Sequence, residues 1–417
     1  MSTNTISSIN AFLKEVYGDN ILDVIPHKNN NILVKNLPFN QAEMLGSQYV
    51  VPVALADEQG VTYAGPLEDD FTLNGSIANA SERAVVNGSQ IVIEGSMGYK
   101  AAAAARGKDA KAFVAATRYM VERMMKTMAK RLEIQHLYGG SGLAQIDASA
   151  NVSVTETVIT ITDASFAPGI WIGSKNALID VHTTAGVQVG AAGFTIKSFD
   201  YAAKAITVTG SAADITALDA AFPATLELWF KGARTKESLG LDQIITTSGS
   251  LFGIDNTVND LWKGQQYAVG GALNFDKITE AANITFNYGN DDKLCALVSP
   301  VAFQSLINDE AALREYDKSY SVDKAQKGNK ALEFNIGGII IELKQHPMVK
   351  QGEAFLVPLA KLKRVGARKE SLKTPGLEGE DIFRQKTNST GYEMRAYTDQ
   401  ALFCECPSHL VKMTGIV

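Results

Sequence analysis

An α+β fold follows from three stretches of the sequence. Residues 106–138, RGKDAKAFVAATRYMVERMMKTMAKRLEIQHLY, carry no proline and are rich in Ala, Met, Leu, Lys, Arg and Glu, and Gly139-Gly140 follows them. Such residues lose little rotamer freedom in a helix, so the stretch reads as one long helix, roughly 45 Å at about 1.5 Å per residue. Residues 48–99 switch to β-branched runs broken by turn residues, and from Leu294 apolar strand runs alternate with helical stretches.

The elements follow in chain order. Ser7 or Ser8 caps a short amphipathic helix, INAFLKEVYG, and Ile21, Leu22, Val24 and Ile25 then lead into Pro26 and the polar run HKNNN. Ile32, Leu33, Val34 and Leu37 come before Pro38. These apolar clusters have no local partner, so the segment packs on its own body or on a neighbour. QYVVPVALADEQGVTYAG and RAVVNGSQIVIEGSMGY, around the acidic PLEDDFTLNGSIANASE, read as a long two-stranded excursion with turn signals at Glu58-Gln59-Gly60 and Asn87-Gly88. A lone two-stranded hairpin is marginal in water and needs a surface to lie on.

In the long helix Phe113, Val114, Met120, Val121, Met124, Met128 and Leu132 fall on one face. Methionines grouped there fit a soft-metal or binding face or, as the favoured reading, adaptable core packing. Residues 151–230 are rich in Thr, Val, Ala and Gly and poor in charge, which marks a separate β-rich unit. FDKITEAANITFNYG is a helix; KLCALVSPVAFQSLIND is a strand and then a helix from Ser299-Pro300. A further helix is expected over Glu310–Tyr316, followed by two strands, ALEFNIGGIIIELKQHP and GEAFLVPLA, whose runs Ile339–Leu343 and Phe355–Val357 read as covered on both faces. YEMRAYTDQALFCECPSHLVKMTGI closes the chain as a strand pair returning to the long helix.

Composition narrows the function. The chain has 417 residues, 46% hydrophobic and 20% charged, with a net charge of −6, so it is globular and has no basic footprint for tight nucleic-acid binding. Three cysteines do not staple a chain of this size, and no apolar run reaches the roughly 20 residues that cross a bilayer; a soluble product of a reducing cytoplasm is expected. Cys404-x-Cys406 with His409 lacks the second ligand pair that zinc requires and reads as two half-buried strand cysteines. GGSGLAQID departs from the nucleophile elbow, because Ser141 follows a helix and Leu143 stands where glycine belongs. Glu68, Asp69 and Asp70 read as a solvated tip or as one docking on a basic neighbour such as Lys361, Lys363, Arg364, Arg368 and Lys369. No catalytic, cofactor or metal site is expected.

This order of elements resembles the major capsid proteins of tailed double-stranded DNA bacteriophages. The closing segment carries Arg395, Asp399 and Pro407 in an order similar to that family's last strands. The resemblance implies an N-terminal arm at 1–45, an extended β-hairpin loop at 46–101, and a peripheral domain with a spine helix at 102–150. It further implies a β-rich insertion domain at 151–232, a peripheral return at 233–253, an axial domain at 254–372 and closing peripheral strands at 373–417. The implied function is self-assembly into hexamers and pentamers of an icosahedral virion shell. That shell would enclose double-stranded DNA through weak, non-specific contact, and the chain would be made in the host cytoplasm. Portal and possibly scaffolding or decoration proteins are the further partners. Phe12, Leu13, Tyr17, Tyr63, Glu68, Asp69, Asp70, Phe71, Arg364 and Arg368 are the expected inter-subunit contacts. Residues 46–99 contain no lysine, which argues against a covalent cross-link donated from the loop. The alternatives are an encapsulin-type compartment shell, with the same fold, and a hydrolase with a β-rich accessory domain.

Overall fold

The computed structural model describes residues 31–40, 44–45, 48–98, 110–222, 224–314, 332–336, 338–373, 384–386 and 390–417. The chain is mixed α+β, as expected. It begins with α1 (Ile32–Asn36) and β1 (Phe39–Asn40), followed by β2 (Met44–Leu45), β3 (Gln48–Ala54) and β4 (Ser81–Asn87), which form an antiparallel sheet in that order. β5 (Ser89–Met97) turns away at Gly88 and joins a different sheet.

Helix α2 (Ala110–Tyr138) is the long helix, and the expected start at 106–109 lies outside the described residues. Met124, Met128 and Leu132 are buried against Met394 and Ala396, with Met120, Val121, Met125, Ile91 and Ile93 packed around them. The methionines are therefore core, filling the irregular gap between helix and sheet. Gly140, in the left-handed region at φ 80°, ends the helix. Gly139 is required for space, since a Cβ there would lie 2.1 Å from the Ser238 carbonyl and 2.5 Å from that of Gln135. Gly139→Ala is expected to cost several kcal/mol, read as a lowered melting temperature or as loss of soluble protein.

Residues 144–230 form a closed barrel of six strands: β6 (Ala144–Ser153), β7 (Glu156–Ile161), β8 (Leu178–Thr183), β9 (Gln188–Asp200), β10 (Ala205–Thr209) and β11 (Leu226–Phe230). Its first strand crosses the boundary drawn at residue 151. α3 (Pro168–Trp171) lies between β7 and β8. α4 (Ala212–Ala221), N-capped by Ser211 accepting from the Asp214 amide, follows β10. Alternate apolar residues such as Ile159, Ile161, Val181, Phe194 and Val208 are buried in the barrel, as a small barrel requires.

After α5 (Leu241–Ile244) and the tight hairpin β12 (Ser250–Leu251) and β13 (Ile254–Asp255), a six-stranded sheet begins. It comprises β14 (Gln265–Gly271), β15 (Leu294–Val298), β16 (Leu332–Ile336), β17 (Ile339–Gln345) and β18 (Glu353–Val357), completed by the last strand of the chain. α6 (Phe275–Asn287) and α7 (Pro300–Arg314) pack on it through Ile278, Ala281, Ala282, Ala302, Phe303 and Leu306.

The remaining strands are β19 (Leu362–Ser371), β20 (Arg384–Gln385), β21 (Tyr392–Cys404) and β22 (Val411–Ile416). β21 lies between β19 and β5 and rests on α2, whereas β22 pairs with β14 and β18 in the six-stranded sheet.

Four expectations change. Glu310–Arg314 continues α7 instead of starting a new helix, because nothing in the sequence breaks the first one. ALEFNIGGIIIELKQHP contains two antiparallel strands, β16 and β17, with Ile336 in register opposite Ile339. β17 is not covered on both faces: its burial alternates and Ile340 is exposed, whereas Phe355–Val357 are fully buried. The closing pair is split between two sheets, since residues 405–410 carry the chain from one to the other; Cys404 is buried at the end of β21 and Cys406 lies beyond it.

Candidate functional site

The feature with no place in the chain's own core is the loop from Leu55 to Ala80. The Leu55 amide closes its neck on the Ala80 carbonyl (2.8 Å), and residues 56–80 are almost wholly exposed. The two legs brace each other: Asn74 donates its backbone N–H to Thr62 Oγ1 (2.8 Å) and its Nδ2 to the Val61 carbonyl (2.9 Å). At the tip Glu68 accepts from the Gly65 amide (2.9 Å). Held this way, the loop presents Val61, Tyr63, Leu67, Phe71, Leu73 and Ile77 to solvent, with Tyr63 91% and Leu67 94% exposed. A run of large apolar side chains kept out of water by nothing is the signature of an interaction surface. Asp57, Glu58, Glu68, Asp69 and Asp70 stand among them, and residues 55–80 contain no lysine or arginine.

The base of this loop is fixed firmly. Tyr49 of β3 is buried edge-on to Phe403 (5.3 Å between centroids), and Phe403 also meets Phe252 (5.5 Å). The Val85 amide donates to the Phe252 carbonyl (2.8 Å). Phe252 stands at φ 53°, a left-handed conformation unusual for a bulky residue. A strain of about 1–3 kcal/mol is the expected cost, tolerated because ring and carbonyl are both held.

The second anchored element is the segment entering from the N-terminus. Glu133 of α2 is completely buried; its carboxylate accepts from the Leu33 amide (2.7 Å), the Val34 amide (2.8 Å) and His346 Nε2 (2.9 Å). His346 Nδ1 accepts from the Met348 amide (3.2 Å), which leaves the proton on Nε2 for Glu133. A carboxylate on the first amides of α1 meets donors that have no partner within the helix. Leu33 and Leu37 are buried and β1 pairs with β19, so residues 32–40 pack on their own chain.

These placements sort the expected contact residues. Tyr63, Glu68, Asp69, Asp70 and Phe71 come together on the exposed loop. Phe12, Leu13 and Tyr17 lie outside the described residues. Arg364 is a correction: it is buried inside its own chain, donating to the Leu37 carbonyl (3.3 Å) and to Gln400 Oε1 (3.2 Å) and pairing with Glu370 (3.2 Å). The apolar environment of a guanidinium with that many partners leaves it nothing to offer a neighbour. Arg368 is half-buried on β19, in register opposite Asp399. Lys361 and Lys363 pair within the chain, with Asp292 and Glu405.

A cavity of about 800 Å³ lies where the barrel, the 234–243 segment and the six-stranded sheet meet. Ser141 donates its hydroxyl to Asp242 and accepts from Gln243 Nε2 (2.9 Å), and Asp242 and Glu353 pair with Lys412. Among the described residues no histidine lines this cavity, and the carboxylate that accepts the Ser141 hydroxyl is itself paired with Lys412. Burial pushes the Asp242 carboxyl up, but the Lys412 and Lys350 ammoniums outweigh that and hold it below the ordinary range. The arrangement is a charged clamp between three parts of the chain. Among the described residues no group of three His, Cys, Asp or Glu side chains is placed to hold a metal.

Beside the cavity, burial raises the Glu237 carboxyl to about 7, against the opposing pull of the Gly140 amide and Arg131. An acid whose folded pKa is raised destabilises the fold once it ionises. Stability is therefore expected to fall as pH rises from the ordinary glutamate value toward 7, by up to about 3 kcal/mol. Glu237→Gln is expected to raise the melting temperature at pH 8 and to leave it nearly unchanged at pH 5. Equal effects at both pH values would show that Glu237 is ordinarily ionised.

Sequence reasoning found the loop through its β-branched legs and acidic centre. It missed Glu133–His346 and the Asp242–Lys412–Glu353 clamp, whose members come from distant parts of the sequence and carry no local signal.

No protein-family model and no curated protein matches the chain. Among solved structures it is similar to a chain of the cyanophage A-1(L) capsid, at 10% identity over 99% of each chain with a TM-score of 0.58. It is similar to a chain of the capsid of a native GTA particle, at 6% identity over all of both chains with a TM-score of 0.52. A third likeness is to a chain of the cyanophage P-SCSP1u capsid, at 10% identity over 98% of this chain and 94% of that one, with a TM-score of 0.50. The chain has the fold of these capsid chains from end to end.

Proposed function

We propose that this chain is a major capsid protein of a tailed phage, one that assembles as hexamers and pentamers into an icosahedral shell around double-stranded DNA. The observation that carries the reading is the 56–80 loop, rigid at its base and apolar at its exposed surface, which has no complement on its own subunit. In this reading 46–101 is the extended loop, α2 the spine of a peripheral domain, the six-stranded sheet the core of an axial domain, and the barrel an insertion. The acidic tip of the loop and residues from the N-terminal arm reach sister subunits, and the repeated contacts add up to the roughly 2,000 Å² or more of an obligate interface. The net charge of −6 suits a lining that holds DNA weakly, because phosphate affinity grows with the number of Lys and Arg contacts. Its place is the virion, with a portal and any scaffolding or decoration proteins as partners.

Negative-stain microscopy and size-exclusion chromatography of the expressed chain test this. Shells, capsomers or tubes are expected. A monomer that persists across concentration and salt overturns the reading.

A further inference from the structure

Asparagine followed by glycine occurs twice in the sequence, at Asn74-Gly75 and Asn87-Gly88. The pair is chemically labile: the glycine amide nitrogen can attack the asparagine side-chain carbonyl, and glycine carries no Cβ to crowd the approach. The fold treats the two copies differently. Asn87 ends β4 in register opposite Gln48, and Gly88 is pinned between that ladder and β5, where a Cβ would lie 2.0 Å from Asp399 Oδ1 and the Ser89 hydroxyl donates to the Lys236 carbonyl (2.9 Å). Asn74 stands on the exposed loop, outside any ladder, and a Cβ at Gly75 would meet nothing within 4 Å. It is also a strut of that loop, because its backbone N–H and its Nδ2 hold Thr62 Oγ1 and the Val61 carbonyl on the opposite leg.

We propose that Asn74 is a site of spontaneous self-modification, at which the loop exchanges its cross-brace for a carboxylate. The Gly75 nitrogen bonds to Asn74 Cγ while the Cγ–Nδ2 bond breaks, and Nδ2 leaves as ammonia with the proton that Gly75 gives up. Water then opens the resulting five-membered imide at either carbonyl. The product is aspartate or, with the main chain routed through the side chain, isoaspartate. Nothing is oxidised or reduced, and water is the only co-reactant. Hydroxide removes the amide proton, so the rate rises with pH.

The product cannot serve as the strut. The amide donates through Nδ2, whereas a carboxylate only accepts, and so it meets the Val61 carbonyl oxygen with like partial charge. It also adds a negative charge to a stretch that already holds Asp57, Glu58, Glu68, Asp69 and Asp70 and has no lysine or arginine from residue 55 to 80. The two legs part, and the apolar side chains they present lose their fixed spacing. The strut sets the rate as well. Ring closure needs rotation of the Asn74 backbone, and Thr62 Oγ1 restrains that rotation by accepting the Asn74 N–H (2.8 Å). A copy whose loop is packed on a neighbour is protected, whereas a free chain ages. That consequence rests on the shell reading above; the chemistry does not.

The test incubates the full-length protein at pH 8 and at pH 5 and maps its peptides by mass over several weeks. Conversion at residue 74, a gain of about 1 Da with isoaspartate among the products, is expected to outrun conversion at Asn87 by about tenfold or more and to slow at pH 5. Thr62→Val is expected to speed it several-fold, Gly75→Ala, which the open space accommodates, to slow it about tenfold, and Asn74→Gln to abolish it. An Asn74 that stays unmodified, or equal conversion at Asn87, overturns the proposal whether or not particles form. Asn74→Asp is expected to fold as the parent does, read by circular dichroism, and to give several-fold fewer closed particles. If it assembles as well as the parent, the loosening of the loop is overturned. Conversion at residue 74 in a parent chain that forms no particles speaks against the shell reading and leaves the modification standing.

Discussion

Deleting Val61–Asn79 leaves a chain that folds, melts within a few degrees of the full protein and forms no closed particles. The deleted residues bury almost nothing of their own: Tyr63, Leu67 and Leu73 are nearly bare, and the loop's hydrogen bonds, Asn74 to Thr62 and to Val61, are internal to it. The elements that fix the base survive, since the Leu55–Ala80 bond, the β3–β4 ladder and the Tyr49–Phe403 contact lie outside the deletion. A shorter loop closes at slightly lower entropic cost, and the change in subunit stability is expected within about 1 kcal/mol. Particle yield is read by microscopy and subunit folding by circular dichroism and thermal melting. If the shortened chain is unfolded, the loop belongs to its own subunit's core; if it assembles normally, the exposed apolar surface has another role.

Replacing Glu133 by alanine is expected to have the largest effect on the subunit itself. The substitution strips two amides of α1 and the His346 Nε2–H of their acceptor at a site closed to water. Breaking a buried pair by removing one partner costs about 3–5 kcal/mol, because the groups left behind stay desolvated. The consequence is local as well as global: α1 and β1 lose their tie to α2, while the Arg364 bond to the Leu37 carbonyl remains. A lower urea midpoint and new proteolytic cleavage within residues 31–40 are the expected readouts. Glu133→Gln, which keeps one acceptor oxygen, is expected to lose less. Unchanged protease resistance in Glu133→Ala would show that burial of Leu33 and Leu37 alone holds the segment.

Several elements were legible because their signals are local. The long helix is written in an unbroken run of helix formers stopped by two glycines, and the strand Leu294–Val298 with its following helix at Pro300 is written in a short apolar run and a proline at the first turn. Periodicity misjudged β17, since Ile339–Leu343 reads as doubly covered although only the face of Ile339, Ile341 and Leu343 is packed and Ile340 on the other is exposed. The exposed loop was legible as an excursion, but its apolar residues could equally have been folded inward. Arg364 shows the converse: a basic residue in a basic cluster reads as surface, and only its neighbours Leu37, Glu370 and Gln400 reveal that it is buried.

By itself the sequence determined that the long stretch ending at Tyr138 is helical, that Gln48–Ala54 and Leu294–Val298 are extended, and which stretch lacks basic residues, because propensity and alternation act over a few residues. The tertiary structure alone decided that six strands close into a barrel beginning at Ala144, that the two closing strands enter different sheets, and that Glu133 reaches back to the amides of α1. Those outcomes depend on residues brought together from distant parts of the sequence. There, packing and the need to satisfy every buried polar group choose among alternatives that are locally equivalent.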